Sequence, residues 1–151
     1  MSMSDSGDPR QVVDSPTGWV ADHIRQYVES DGEAGHEWRE GVPTLLLSVK
    51  GRKSGVWRRT ALIYGRDGEN YVIVASKGGA ETHPMWFLNV RDNPDAEIQV
   101  GSEKVAVRAH VAEGEERARL WDAMAVIWPD YNNYQTKTSR QIPVVVLEPV
   151  G

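Results

Sequence analysis

Thr44-Leu45-Leu46-Leu47-Ser48-Val49, Gly51-Arg52-Lys53-Ser54-Gly55, Trp57-Arg58-Arg59-Thr60-Ala61-Leu62-Ile63-Tyr64, Arg66-Asp67-Gly68-Glu69 and Asn70-Tyr71-Val72-Ile73-Val74-Ala75-Ser76 follow one another with almost nothing between them. Apolar, β-favouring runs broken by glycine-rich polar turns read as strand, turn, strand, turn, strand. The Asp67-Gly68 pair is a short hairpin signal, so 70–76 is expected to return antiparallel on 57–64. Downstream, Asn93-Pro94 makes a turn, and 96–100 and 104–111 form a further hairpin around Gly101. The second of these strands alternates apolar with polar residues, as a half-buried strand does. A last strand is expected at 142–147.

Helices punctuate these strands. Ser15-Pro16 resembles an N-cap followed by proline, and Trp19, Val20, His23, Ile24, Tyr27 and Val28 recur at helical spacing before Asp31-Gly32. That helix is expected to pack across a barrel mouth, with contact to a membrane surface as the alternative. A short helix follows Pro84. Another spans 115–128, with Glu115 and Glu116 in its first turn, where the helix dipole favours anions, and Pro129 to end it. Six short strands joined mainly by hairpins make a mainly β (α+β) chain, a small six-stranded antiparallel barrel with flanking helices. Residues 1–14 are polar and read as a disordered arm, and 15–151 as a single domain, for which 151 residues suffice.

Composition narrows the function. The formal net charge is −5, which argues against a nucleic-acid-binding surface, since such affinity rests on neutralising phosphates with Lys and Arg. The absence of cysteine excludes disulfides, thiolate metal sites and a cysteine nucleophile, and fits a reducing cytosol. His23, His36, His83 and His110 are scattered without ligand spacing, so no metal is expected. No apolar run reaches the roughly 20 residues that span a bilayer, and the first residues lack a signal-peptide core.

Two stretches carry the chemistry. Lys50, Arg52, Lys53, Arg58 and Arg59 put five cations into ten residues of an acidic chain. They read either as a solvated turn or, with the amides of Gly51 and Gly55 and the Ser54 hydroxyl, as an anion site for phosphate or carboxylates. The second stretch is Ser76-Lys77-Gly78-Gly79, where a strand ends in a hydroxyl, a cation and two glycines before the aromatic-rich Met85-Trp86-Phe87-Leu88-Asn89; backbone can there approach a planar ligand closely. A P-loop and a G-x-G-x-x-G are both missing, so neither a nucleoside triphosphate nor a Rossmann dinucleotide is indicated. Ser76 lacks a nucleophile elbow and a His-Asp partner, and reads as a hydrogen-bond donor. Trp38 and Trp121 read as core filling. Tyr131 and Tyr134, in what reads as a polar loop after Trp128 and Pro129, read as the lid of a pocket.

These motifs, in this order and with Ala75-Ser76-Lys77-Gly78-Gly79, His83-Pro84-Met85-Trp86-Phe87-Leu88-Asn89, Tyr131-Asn132-Asn133-Tyr134-Gln135 and Arg140-Gln141-Ile142-Pro143-Val144 among them, resemble the deazaflavin-dependent nitroreductase family over roughly 42–149. The resemblance implies a split β-barrel of the flavin-binding type, coenzyme F420 as cofactor, and hydride transfer to a quinone-like, menaquinone-type acceptor or a nitro-aromatic. It implies that Arg52, Lys53, Ser54, Arg58 and Thr60 meet the cofactor's anionic tail side. Val74, Ala75, Ser76, Lys77 and Gly78 would run along its ring, with Met85, Trp86 and Asn89 on the other side and Tyr131 close by. Ile63, Trp128, Tyr131 and Tyr134 would line the acceptor, with Ser76, Tyr131 and Tyr134 as catalytic hydrogen-bonding groups. Ile63 and Trp128 stand where some members carry tyrosine, which bears on nitroimidazole reduction. The alternatives are a flavin-mononucleotide enzyme of the same barrel type and a deazaflavin carrier without turnover. A menaquinone-type acceptor implies a cytoplasmic protein with peripheral contact at the inner face of the plasma membrane, through 19–28.

Overall fold

Why β3 (Val42–Lys50) is apolar along nearly its whole length is answered by what lies on each of its faces. In the computed structural model, which describes residues 12–14, 18–30, 37–39 and 42–150, Leu45, Leu47 and Val49 point into the main core while Leu46 points the other way, beneath α1 (Gly18–Glu29). A strand covered on both faces loses the alternation that a one-sided strand shows. β9 (Val144–Pro149) repeats the pattern: Val145 and Leu147 face the main core, Val144 and Val146 a second one.

Among the described residues the sheet has nine strands: β1 (Val12–Asp14) begins the order β1-β4-β3-β7-β8-β9-β6-β5, with β2 (Glu37–Arg39) off this path on β3. Seven of them, from β3 to β9, run antiparallel: β3, β4 (Trp57–Ile63), β5 (Gly65–Asp67), β6 (Asn70–Val74), β7 (Asp95–Val100), β8 (Glu103–Val111) and β9. They curl into a half-barrel around a core drawn from β3, β6, β7, β8 and β9. α2 (Met85–Asp92) adds Phe87 and Val90 to that core. α3 (Gly114–Ile127) and α4 (Asp130–Thr136) cover the outer face of β6 and β9, where Val72, Val74, Leu120, Met124, Tyr131, Ile142, Val144 and Val146 form the second core.

Several sequence expectations change here. Seven antiparallel strands replace the expected six, because Gly65–Asp67, whose last two residues read as part of the turn 66–69, pairs with Asn70–Val74. Asn70–Val74 therefore does not return on β4; its neighbours are β5 and β9, and those of β4 are β1 and β3. Asp67-Gly68 still makes a hairpin, with Gly68 at φ +60, but one with a three-residue outer strand. The chain leaves the line of β4 where α3 packs closely: an added Cβ at Gly65 would lie 2.7 Å from Met124 Sδ, a contact that glycine avoids, and Arg119 of α3 pairs with Asp67 through two bonds of 3.0 and 3.2 Å. Residues 130–136, read as loop, are helical. Val12–Asp14, the end of the expected arm, pairs parallel with Trp57, Arg58 and Arg59 of β4; the rest of the arm, and the Ser15-Pro16 cap, lie outside the described residues.

α1 lies on the outer face of β3 and β4 rather than across a mouth. Ile24 and Tyr27 are wholly buried against Leu46 and Ala61. The Tyr27 hydroxyl donates to the Thr44 carbonyl (3.2 Å) and accepts from the Gly101 amide (2.6 Å), tying the helix to β3 and to the turn between β7 and β8. The side chains of Trp19, Val20, His23 and Trp38 fall outside the described residues. No described helix is long and apolar enough to cross a membrane.

Candidate functional site

The turn joining β3 to β4 is closed by its own backbone: the Gly51 amide donates to Val56 O (2.8 Å) and the Gly55 amide to Gly51 O (2.9 Å), with Gly55 at φ +72. Ser54 Oγ accepts from the Val56 amide (3.1 Å), so this hydroxyl builds the turn as well as rimming it. Lys53 and Ser54 are exposed and Arg52 half-buried. Asn89, buried on α2, accepts at Oδ1 from both the amide and the Nη1 of Arg52, each at 3.1 Å. A loose cationic turn is thereby pinned to a helix. Arg58 and Thr60 pair with Val49 and Leu47, so they share the face of β4 that looks into the half-barrel. Arg52, Lys53, Ser54, Arg58 and Thr60 thus gather about one hairpin.

The second element is the 3-10 turn Lys77–Gly79 after β6. Lys77, Gly78 and Gly79 are all left-handed, at φ 46, 63 and 86. Lys77 is the non-glycine residue with positive φ among those described, and such backbone strain persists only where the surroundings hold it. An added Cβ at Gly78 would meet nothing within 4 Å, whereas at Gly79 it would lie 2.7 Å from the Tyr134 carbonyl oxygen and 3.1 Å from Lys137 Cβ. Gly78 thus faces open space and Gly79 seats α4. The exposed Lys77 ammonium donates to Thr82 Oγ1 (3.2 Å). Ser76 is half-buried, while the side chains of Val74 and Ala75 are buried, in the second and main cores respectively. Those two can meet a ligand only through backbone.

A residue to which the sequence reading gave no site role holds this turn. Arg140 donates to the carbonyls of Ala80 (2.7 Å), Ser76 (2.8 Å) and Ala75 (3.2 Å), and to Nδ1 of His83 (3.0 Å). His83 is pushed below its ordinary range by burial and by the Arg140 and Arg91 cations, which fits a neutral ring accepting at Nδ1. Gln135 of α4 accepts from the Ile142 amide (3.0 Å) and donates to the Arg140 carbonyl (2.8 Å). In the sequence Arg140 stands only as a letter of a motif, and His83 as a histidine without ligand spacing that starts a helix before Pro84. The guanidinium-to-carbonyl bonds span 60 to 65 residues of chain and the bond to His83 spans 57, which no local pattern reports.

α2 joins the two turns. Just before the helix His83 packs at a tilt against Phe87 (4.8 Å between ring centroids), and Asn89 reaches the basic turn from α2 itself. Trp86 is half-buried against the main core, and Met85 is 60% exposed.

The aromatic residues gather on the outer side. Ile63, Trp128, Tyr131 and Tyr134 all belong to the second core cluster, Tyr131 within it and the others packed against it half-buried. Tyr131 is only 4% exposed, which makes it a wall of that cluster rather than a lid; it stands near Trp121 and Tyr134, each 6.2 Å away between ring centroids. Burial pushes its phenol well above the ordinary range, so it stays protonated. Trp128 Nε1 donates to the Tyr134 hydroxyl (3.3 Å), which leaves that hydroxyl its own hydrogen to give. Trp121, half-buried in the same cluster, donates to Asn132 Oδ1 (2.8 Å). Among the described residues no group of His, Asp or Glu is placed to hold a metal ion.

Residues 19–149 match the sequence profile of the F420H(2)-dependent quinone reductases. The chain belongs to this family. An F420H(2)-dependent quinone reductase of Mycobacterium tuberculosis is 43% identical over 128 residues, covering 83% of this chain and 86% of that protein. A solved structure of an F420-H2 dependent reductase is 40% identical, covers 70% of this chain and 94% of its own, and superposes with a TM-score of 0.66. A solved domain-swapped dimer is 37% identical, covers 89% of this chain and all of its own, with a TM-score of 0.69. As an F420H(2)-dependent quinone reductase family member the chain is an oxidoreductase that uses coenzyme F420. Its donor set fits that cofactor: exposed cations on a pinned turn suit an anionic tail, and the open side of Gly78 lets a flat ring approach the backbone.

Proposed function

We propose that the protein reduces a quinone with hydride from reduced F420, and that the half-barrel is a split β-barrel of the flavin-binding type with the cofactor laid from the basic turn to the turn at 76–79. The observation that carries this placement is the Asn89–Arg52 tie, which fixes the cationic turn to the same helix that His83 links to the other turn. Arg52, Lys53, Ser54, Arg58 and Thr60 take the tail side; Val74, Ala75, Ser76, Lys77 and Gly78 take the ring edge, with Met85 and Trp86 beside it.

When bound, the deazaflavin supplies a hydride from its ring carbon, and a quinone that takes up this hydride and one proton becomes the hydroquinone. The chain's own task is to orient the acceptor and to hold hydrogen-bond donors where its oxygens gain charge. Tyr134 serves as donor because its oxygen already accepts from Trp128. Tyr131, kept protonated by burial, serves as a donor and not as a base. Ser76 adds a hydroxyl at the ring edge. Ile63 and Trp128 shape the acceptor's side, and a nitro-aromatic is the second acceptor class to try there. A lipophilic, menaquinone-type acceptor would bring the protein to the inner face of the plasma membrane, by a surface other than Ile24 and Tyr27, which the sheet occupies.

Titration with F420 and with flavin mononucleotide, followed by oxidation of reduced F420 with menadione and with a nitroimidazole, tests the reading. Tight F420 binding with menadione-dependent oxidation is expected. Preference for flavin mononucleotide, or F420 binding without turnover on any quinone, refutes it.

A further inference from the structure

Three consecutive left-handed residues do not hold themselves in place. Within the turn only two backbone bonds are formed, from the Gly79 amide to Ser76 O (2.9 Å) and from the Ala80 amide to Lys77 O (3.2 Å). Gly79 is packed against α4 and Lys77 Nζ donates to Thr82 Oγ1, but the bonds to the turn's own carbonyls come from Arg140, between α4 and β9. Four of its five N–H groups are engaged: Nε with Ala80 O, Nη1 with Ala75 O and His83 Nδ1, and Nη2 with Ser76 O. Three carbonyls on either side of the left-handed segment are thus drawn to one planar fork. A lysine ammonium could not meet them together, being a point charge without that fork.

Arg140 is itself fixed from behind. Its amide donates to Thr138 Oγ1 (3.2 Å) and its carbonyl accepts from Gln135 Nε2. Gln135 belongs to α4, the helix that carries Tyr131 and Tyr134 and whose backbone lies against Gly79. One guanidinium therefore lies between the ring-side turn, the start of α2 and the helix of the acceptor-side tyrosines.

We propose that Arg140 is the positioning residue of the cofactor site: it sets the backbone of 75–80 in the shape that receives the ring, and through His83 it keeps α2 in register with that turn. This rests on reading 76–79 as the ring-side wall of an F420 site. Arg140 acts through the turn, by holding its carbonyls.

The test uses Arg140→Ala and Arg140→Lys in the full chain, with hydrogen exchange of the cofactor-free protein and fluorescence titration with F420. In both variants the Gly79 and Ala80 amides should exchange at least tenfold faster while amides of β3 and β7 keep wild-type protection. F420 affinity should fall at least tenfold. Millimolar methylguanidinium should restore part of the affinity of Arg140→Ala, and methylammonium should not. Unchanged exchange at Gly79 and Ala80, a full rescue by the lysine variant, or faster exchange spread equally over the core would overturn the proposal. So would a loosened turn with wild-type F420 affinity. If the wild-type protein fails to bind F420, the functional reading falls and this proposal with it; the exchange response, read without cofactor, shows whether Arg140 still holds the turn and so separates the two failures.

Discussion

Gly78 and Gly79 are neighbours with the same sign of φ, yet alanine should act very differently at each. Both substitutions force a Cβ into the left-handed region at about 1–2 kcal/mol, and both recover about 0.4–1 kcal/mol by restricting the unfolded chain. At Gly78 nothing lies within 4 Å of the new atom, so the net loss should be about 1 kcal/mol. At Gly79 the Cβ would stand 2.7 Å from Tyr134 O and 3.1 Å from both Tyr134 Cα and Lys137 Cβ, and the nearest of these is backbone. α4 must shift, which adds about 1–3 kcal/mol of overpacking. For a domain of this size each kcal/mol moves Tm by about 2–4 °C. Gly78→Ala should thus lower Tm by about 2–4 °C and Gly79→Ala by about 4–16 °C. Thermal unfolding by circular dichroism, with F420 titration on the same samples, reads both. Gly78→Val should remain folded but lose F420, because a β-branched side chain on the open side blocks the ring. Equal Tm losses at the two glycines would refute the assignment of Gly79 to seating α4. A Gly78→Val protein that keeps wild-type affinity would refute the open side as the ring's approach.

Arg58→Ala or Lys53→Ala should weaken F420 binding by about ten- to a hundredfold each, since charge-assisted bonds are worth about 1.5–3 kcal/mol. A tail-free deazaflavin should bind all these proteins equally, and equal losses for both ligands would rule out a tail contact. Tyr134→Phe should lower kcat with menadione while leaving F420 affinity unchanged; unchanged kinetics with every acceptor would move the acceptor site elsewhere. His110 bonds to Glu148 (2.6 Å) and Glu116 (3.1 Å), joining β8 to β9 and α3. Burial alone would lower its pKa, but these two carboxylates outweigh it and raise the value above the ordinary range. Its contribution is therefore complete below the unfolded value near 6.5 and is lost as pH rises through the higher folded value. His110→Gln should flatten the Tm-versus-pH curve on that alkaline flank, and an unchanged slope would exclude the clasp. His83 works in the opposite sense: lowered in the fold, it leaves stability whole above about 6.5 and erodes it as pH falls toward the folded value.

Some of the protein was determined by local sequence alone. Strands with uninterrupted apolar runs, the Asp-Gly and Gly101 turns, the proline-bounded helices and the basic turn all follow from residue preference and periodicity acting within a few positions. So did the grouping of Ile63, Trp128, Tyr131 and Tyr134, through motifs whose order matched a family. The tertiary structure decided what depends on contacts between distant parts of the chain. It made Gly65–Asp67 a strand beneath α3, where Met124 packs close against Gly65 and Arg119 pairs with Asp67. It made 130–136 a helix that buries Tyr131, since an aromatic in a polar stretch is indifferent to helix or loop until a core receives it. It gave Asn89 to Arg52, and set three donors of Arg140 around one turn and a fourth on His83. A hydrogen bond across some sixty residues leaves no periodicity in sequence, because its geometry exists only once both partners have been brought together by everything else that folds.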